Sequence, residues 1–97
     1  MNRLFAVFRP RGPYWEVDVP IEDQEEWDAH AAFMTNLERE GFILLAGPLE
    51  GVSDVLLIIR AGSAEEIKER LAADPWSSLE LLSQGPILPW TLRLGKL

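Results

Sequence analysis

Short apolar runs alternate along this chain with stretches whose apolar residues recur every third or fourth position. Leu4-Phe5-Ala6-Val7-Phe8 is short and rich in β-formers, and it predicts a first strand. Arg9 to Pro20 then carries three prolines, Gly12 and the aromatics Tyr14 and Trp15, which predicts a long loop. From about Asp23 to Glu40, Trp27, His30, Ala31, Met34 and Leu37 recur at helical spacing. That is an amphipathic helix, closed by Gly41. Phe42 to Ala46, ended by Gly47-Pro48, and Val55 to Ile59 predict a second and a third strand, with Gly51 and Asp54 in the turn between them. Ser63-Ala64-Glu65-Glu66 is a capping box that opens a second helix, with Ile67 and Leu71 facing inward. Glu66 can pair with Arg70 one turn later, and Asp74-Pro75 ends the helix. A short helical turn is expected around Ser77 to Leu82. The last strand is predicted over Ile87 to Leu94, where Trp90, Leu92 and Leu94 alternate with Thr91 and Arg93. Pro89 places the start of that strand at a sheet edge or a bulge.

The predicted order is β-α-β-β-α-β in a single domain over 1–97. It defines an α+β, ferredoxin-like architecture: a four-stranded antiparallel sheet with two helices on one face. A chain of this length buries roughly 65% of its extended-state surface, enough for one core. Yet the first three strands are apolar at nearly every position. A sheet with one face in water should alternate, and continuous apolar runs imply that both faces are covered. Two helices cover only one, so a second copy is expected on the other, as a homodimer through the open sheet face.

Charge narrows the partners. Sixteen acids against nine bases give a net charge of −7, which opposes a broad grip on nucleic acid or on an anionic membrane surface. The acids are concentrated: residues 16–40 hold nine acids and one base, Arg39, leaving a remainder of +1 (eight bases, seven acids). Such a run describes a solvated helix face. Its Glu22-Asp23-Gln24-Glu25-Glu26 stretch lacks the glycine turn of a calcium loop. The chain has no cysteine and one histidine, so disulfides, thiolate chemistry and histidine metal clusters are excluded, and no metal is expected. The five-residue apolar run at the N-terminus is too short for a signal peptide, and no run reaches the roughly 20 residues of a membrane helix. A cytoplasmic protein is expected.

The candidate chemistry centres on His30, which lies on the inward stripe of the first helix beside Trp27, Phe33 and Met34. It is either a packing histidine or an acid–base group. In the second case it needs a carboxylate to fix its tautomer; Glu26, Asp28 and Asp74 are the candidates, and periodicity does not choose among them. Asp74 alternatively serves as a cap before Pro75. Trp15 and Trp76 fall outside the predicted elements and could line a pocket for a planar ligand, or simply fill the core. Arg9 and Arg11 flank the same loop, where they could meet a ligand carboxylate or be ordinary surface charge. There is no Gly-x-Ser-x-Gly elbow, and Gly41, Gly47 and Gly51 lie at element ends rather than in a phosphate loop.

Several of these segments together resemble the YCII-related domain, a family of small dimeric α+β barrel proteins. The resemblance is carried by Phe5-Ala6-Val7-Phe8-Arg9-Pro10, by His30 midway along the first helix, and by Gly41-Phe42-Ile43-Leu44-Leu45-Ala46-Gly47-Pro48. It continues through Ala73-Asp74-Pro75-Trp76 and Pro89-Trp90. It implies a His–Asp pair at His30 and Asp74, and general acid–base proton transfer on a small cyclic molecule by a lyase or isomerase without a cofactor. Arg9, Trp15 and Trp76 would then bind substrate. The other reading is a non-catalytic ligand-binding or regulatory dimer. Two departures from the family pattern, the long Arg9–Pro20 loop and the Leu79-Glu80-Leu81 segment, alter the pocket rim, so no particular substrate is implied.

Overall fold

The computed structural model of the chain describes residues 2–97; Met1 lies outside them. Four strands, β1 (Arg3–Pro10), β2 (Ile43–Pro48), β3 (Asp54–Ala61) and β4 (Ile87–Trp90), form one antiparallel sheet in the order β2-β3-β1-β4. Three helices accompany it: α1 (Trp27–Arg39), α2 (Ala64–Ala72) and the single-turn α3 (Pro75–Ser78). This is the α+β, ferredoxin-like arrangement expected from the order of elements.

Strand parity sorts the side chains into two faces. Phe5, Val7 and Arg9 of β1 pair with Ile59, Leu57 and Val55 of β3, and their side chains turn toward the helices. There Phe5, Val7, Leu57 and Ile59 join Leu37 of α1 and Ile67 and Leu71 of α2 in one buried core. Leu4, Ala6 and Phe8 point the other way, with Leu56 and Ile58 beside them. On that open face Leu45, Leu88 and Trp90 are 53%, 52% and 39% exposed, which is unusual company for water. In β2 the register slips once: Ile43 pairs with Ile59 but Leu45 with Ile58, leaving Leu44 as the extra residue of a β-bulge.

Local chemistry sets the element ends. Gly41, at φ 81°, lets the chain turn after α1. Phe42 N–H donates to the Leu37 carbonyl at 3.0 Å and Gly41 N–H to that of Glu38 at 3.0 Å, the paired bonds of a Schellman stop. At α2, Ser63 Oγ accepts from Glu66 N–H at 3.2 Å while Glu66 Oε1 accepts from Gly62 N–H at 2.8 Å. Because Glu66 is occupied there, the expected Glu66–Arg70 pair does not form; Arg70 reaches Glu40 at 2.6 Å and lies over the Phe42 ring.

Three other boundaries differ from expectation. Residues 21–23 form a separate 3-10 turn and Glu26 adopts φ 58°, so α1 starts at Trp27 rather than near Asp23. The helical turn expected over Ser77–Leu82 begins earlier, at Pro75, because Asp74 caps it; Trp76 therefore lies inside an element. β4 stops at Trp90 because Trp90 already pairs with Leu4, one residue from the start of β1. No helix of the described residues is long and apolar enough to cross a membrane.

Candidate active site

Three elements converge where α3 begins. Asp74 is its N-cap: Oδ1 accepts from Trp76 N–H at 3.0 Å, the usual duty of an aspartate before a first-turn proline. The same carboxylate, fully buried, accepts from His30 Nδ1 at 3.0 and 2.8 Å and from an Arg9 terminal nitrogen at 2.8 Å. The second Arg9 terminal nitrogen donates to Ser77 Oγ at 2.7 Å, and Ser77 in turn donates to the Leu71 carbonyl at 2.7 Å. The order Ser77–Arg9–Asp74–His30 thus ties α3, β1 and α1 together through charge-assisted hydrogen bonds.

Burial pushes the Asp74 carboxyl toward a higher pKa, but hydrogen bonds from His30, Arg9 and Trp76 N–H outweigh it and hold the group below its ordinary value. Asp74 is therefore an anion that only accepts. His30 Nδ1 must be the donor in that bond, and in the neutral ring the lone pair is left on Nε2. His30 lines a cavity of about 400 Å³, and Nε2 has no hydrogen-bond partner among the described residues.

Aromatic side chains build the cavity wall. Trp76 is buried, its indole N–H donates to the Glu25 carbonyl at 2.6 Å, and its ring lies face to face on His30 with centroids 3.8 Å apart and planes 4° apart. Trp15 meets Trp76 edge-on at 5.5 Å, and Trp27 tilts against it at 5.8 Å. The loop carrying Trp15 is fastened by Gly12 N–H to the Leu81 carbonyl at 2.9 Å. It is fastened again by the buried Gln24 amide, which bonds the backbone of Glu16 and Val19. Ala46, Gly47 and Pro48 of β2 close the far side.

All five expected site residues, Arg9, Trp15, His30, Asp74 and Trp76, belong to this one cluster. Glu26 and Asp28, the alternative partners of His30, are exposed and their carboxylates make no bond to its ring; Glu26 meets His30 only through the backbone, its carbonyl accepting from His30 N–H at 3.0 Å. Arg9 is not surface charge: it is 1% exposed, and its Nε has no hydrogen-bond partner among the described residues. Its burial was readable, since Arg9 continues the parity of Phe5 and Val7 and so brings a cation to the core face, where it needs an anion. Sequence reasoning overlooked Ser77 and Gln24; neither stands in a motif or on a periodic stripe.

A ferredoxin-like α+β domain with a buried Arg–Asp–His cluster beneath an aromatic cavity is the class defined by fold and site. The chain belongs to the YCII-related domain family, whose family model it matches over residues 4–91. Among solved structures it is similar to 5-chloro-2-hydroxyhydroquinone dehydrochlorinase from Burkholderia phenoliruptrix, solved in complex with 2,5-dihydroxybenzoquinone. That likeness has a TM-score of 0.58 and 22% sequence identity over 95% of each chain, a kinship of fold. Comparison with curated protein sequences found no match.

Proposed function

We propose that this protein is a cofactor-independent enzyme, a lyase or isomerase, that moves a proton on a small cyclic organic molecule. The observation that carries this reading is the orientation of His30: Nδ1 is committed to an ionised, buried Asp74, and His30 lines the cavity. In the proposed reaction His30 Nε2 takes a proton from a carbon acid of the substrate. The released C–H electron pair forms a new double bond. In an elimination a leaving group departs with its bonding pair; in an isomerisation the imidazolium returns the proton at a second position. Asp74 fixes the tautomer and stabilises the imidazolium, and Trp76 offers its π face to the same cation at 3.8 Å. Trp15 and Trp76 hold a planar ring, while Arg9 anchors Asp74 and lies against the cavity. Dehydrochlorination by the structurally similar enzyme is one such elimination, and its fold supports the reading.

The same proposal places a second copy of the chain over the open sheet face, supported by the apolar row of Leu4, Ala6, Phe8, Leu56 and Ile58 with exposed Leu45, Leu88 and Trp90. It also places the reaction in the cytoplasm, in keeping with a cysteine-free chain.

Chloride release from 5-chloro-2-hydroxyhydroquinone, and turnover of related hydroxylated rings and lactones, is the assay. His30→Asn should reduce kcat by about 10²–10⁴, the usual worth of a general base, with unchanged circular dichroism. Asp74→Asn, assayed well below its own melting temperature, should do the same. Unaltered turnover in His30→Asn overturns the mechanism. Ligand binding by the wild type with no turnover of any ring tested favours a non-catalytic binding module.

A further inference from the structure

The ionisable side chains on the cavity wall are all bases. Arg9, Arg11 and His30 line it, and among the described residues no aspartate or glutamate does. This is notable in a chain with sixteen acids and nine bases. Asp74, the nearest acid in the network, is fully buried behind the residues it binds. Arg9 is already matched by that carboxylate at 2.8 Å, so the pair brings almost no net charge to the wall. The charge that remains is that of Arg11.

The backbone of Arg11 is fixed, and its exposed side chain rests on Trp15. Its N–H donates to the Ser53 carbonyl at 3.1 Å, and it forms a β-bridge with Leu82 on the other side. Its guanidinium lies over the Trp15 ring, 4.6 Å from the centroid, with no carboxylate in ion-pair range among the described residues. A guanidinium stacked on indole is weakly hydrated and presents its in-plane N–H groups to an oxygen anion. From Arg11 the contacts run through Trp15 and Trp76 to His30, linking one cation to one base by a path of rings.

We infer that the cavity selects a planar ring bearing an anionic oxygen (a phenolate, enolate or carboxylate) and that Arg11 is the residue that reads that charge. The inference rests on the proposed site being the substrate site. A neutral ring gains only burial against the tryptophans. An anionic one also gains Arg11, whose exposed side chain stands at the rim of the cavity, so the gain is a solvated ion pair that salt can screen.

Benzoate and benzamide, alike in shape and unlike in charge, are the probes, titrated into the full chain by calorimetry or by NMR. Wild type should bind benzoate about tenfold more tightly than benzamide, a preference that shrinks as salt rises. Arg11→Gln should erase the preference while holding benzamide within about twofold, which also shows that the variant is folded. Arg11→Lys should keep most of it. Equal binding of the two probes by wild type, binding of neither, or a benzoate preference that survives in Arg11→Gln each overturns the assignment. None of these readouts needs turnover, so they stand or fall separately from the His30 mechanism.

Discussion

Replacing Asp74 with asparagine keeps the shape of the side chain and removes its charge. In the native site Oδ1 accepts from Trp76 N–H and His30, and Oδ2 accepts from Arg9 and His30. Whichever way the amide is turned, its NH₂ faces one of those donors, and a donor–donor contact replaces a hydrogen bond. More costly is the fate of Arg9. At 1% exposure it cannot recover water, and it is left with Ser77 Oγ and at most a neutral amide oxygen in place of a carboxylate. Removing one partner of a buried pair costs about 3–5 kcal/mol. For a domain of this size each kcal/mol corresponds to about 4–8 °C, so the melting temperature should fall by at least about 12 °C. Arg9→Met combined with Asp74→Asn removes both charges together and should be less destabilising than the sum of the single variants by about 2 kcal/mol or more. Urea unfolding at pH 7, followed by tryptophan emission, measures all four proteins. An Asp74→Asn cost under about 1 kcal/mol, or strict additivity in the double variant, would refute the reasoning.

Three further outcomes follow from features of the fold. Asp74 has a native pKa below its ordinary 3.8, so its stabilising contribution is complete above that value and is lost as pH falls through the lower native one. Urea midpoints between pH 6 and 2.5 should therefore drop more steeply for wild type than for Asp74→Asn, and parallel curves would exclude the contribution. A Cβ at Gly12 would drive into the backbone of Glu80, meeting its carbonyl oxygen and lying 2.7 Å from its carbonyl carbon. Gly12→Ala should cost about 1–3 kcal/mol and loosen the loop that carries Trp15, visible as a changed Trp15 side-chain resonance. Light scattering at micromolar concentration should give twice the 11.0 kDa chain mass, and a stable monomer would remove the second copy from the open face.

The fold was largely legible because its signals are local. Gly41 after a helical stripe, Ser63 with Glu66, and the runs at Phe5 and Ile59 each act within a few residues. What was not legible depended on distance in sequence. Periodicity left Glu26, Asp28 and Asp74 equal as partners of His30, and the resemblance to the YCII-related family singled out Asp74. In the structure Asp74 meets His30 across a separation of 44 residues, a contact made by packing α3 against α1. Local spacing cannot report such a contact. The end of β4 was misjudged for a related reason: Leu92 and Leu94 keep the alternation, but β1 has run out of residues to pair with them.

Leu44 has a consequence for how this domain can change length. With the bulge, Ile43, Ala46 and Pro48 all follow the face of Ile59, Leu57 and Val55. Under regular pairing Leu45 and Gly47 would take those places, and the far wall of the cavity would be made of different side chains. Deleting Leu44 joins Ile43 directly to Leu45 and preserves every pairing beyond it. The strand thus holds one extra residue just before the segment that lines the cavity, and the bend it introduces sets how Ala46, Gly47 and Pro48 are presented to a ligand.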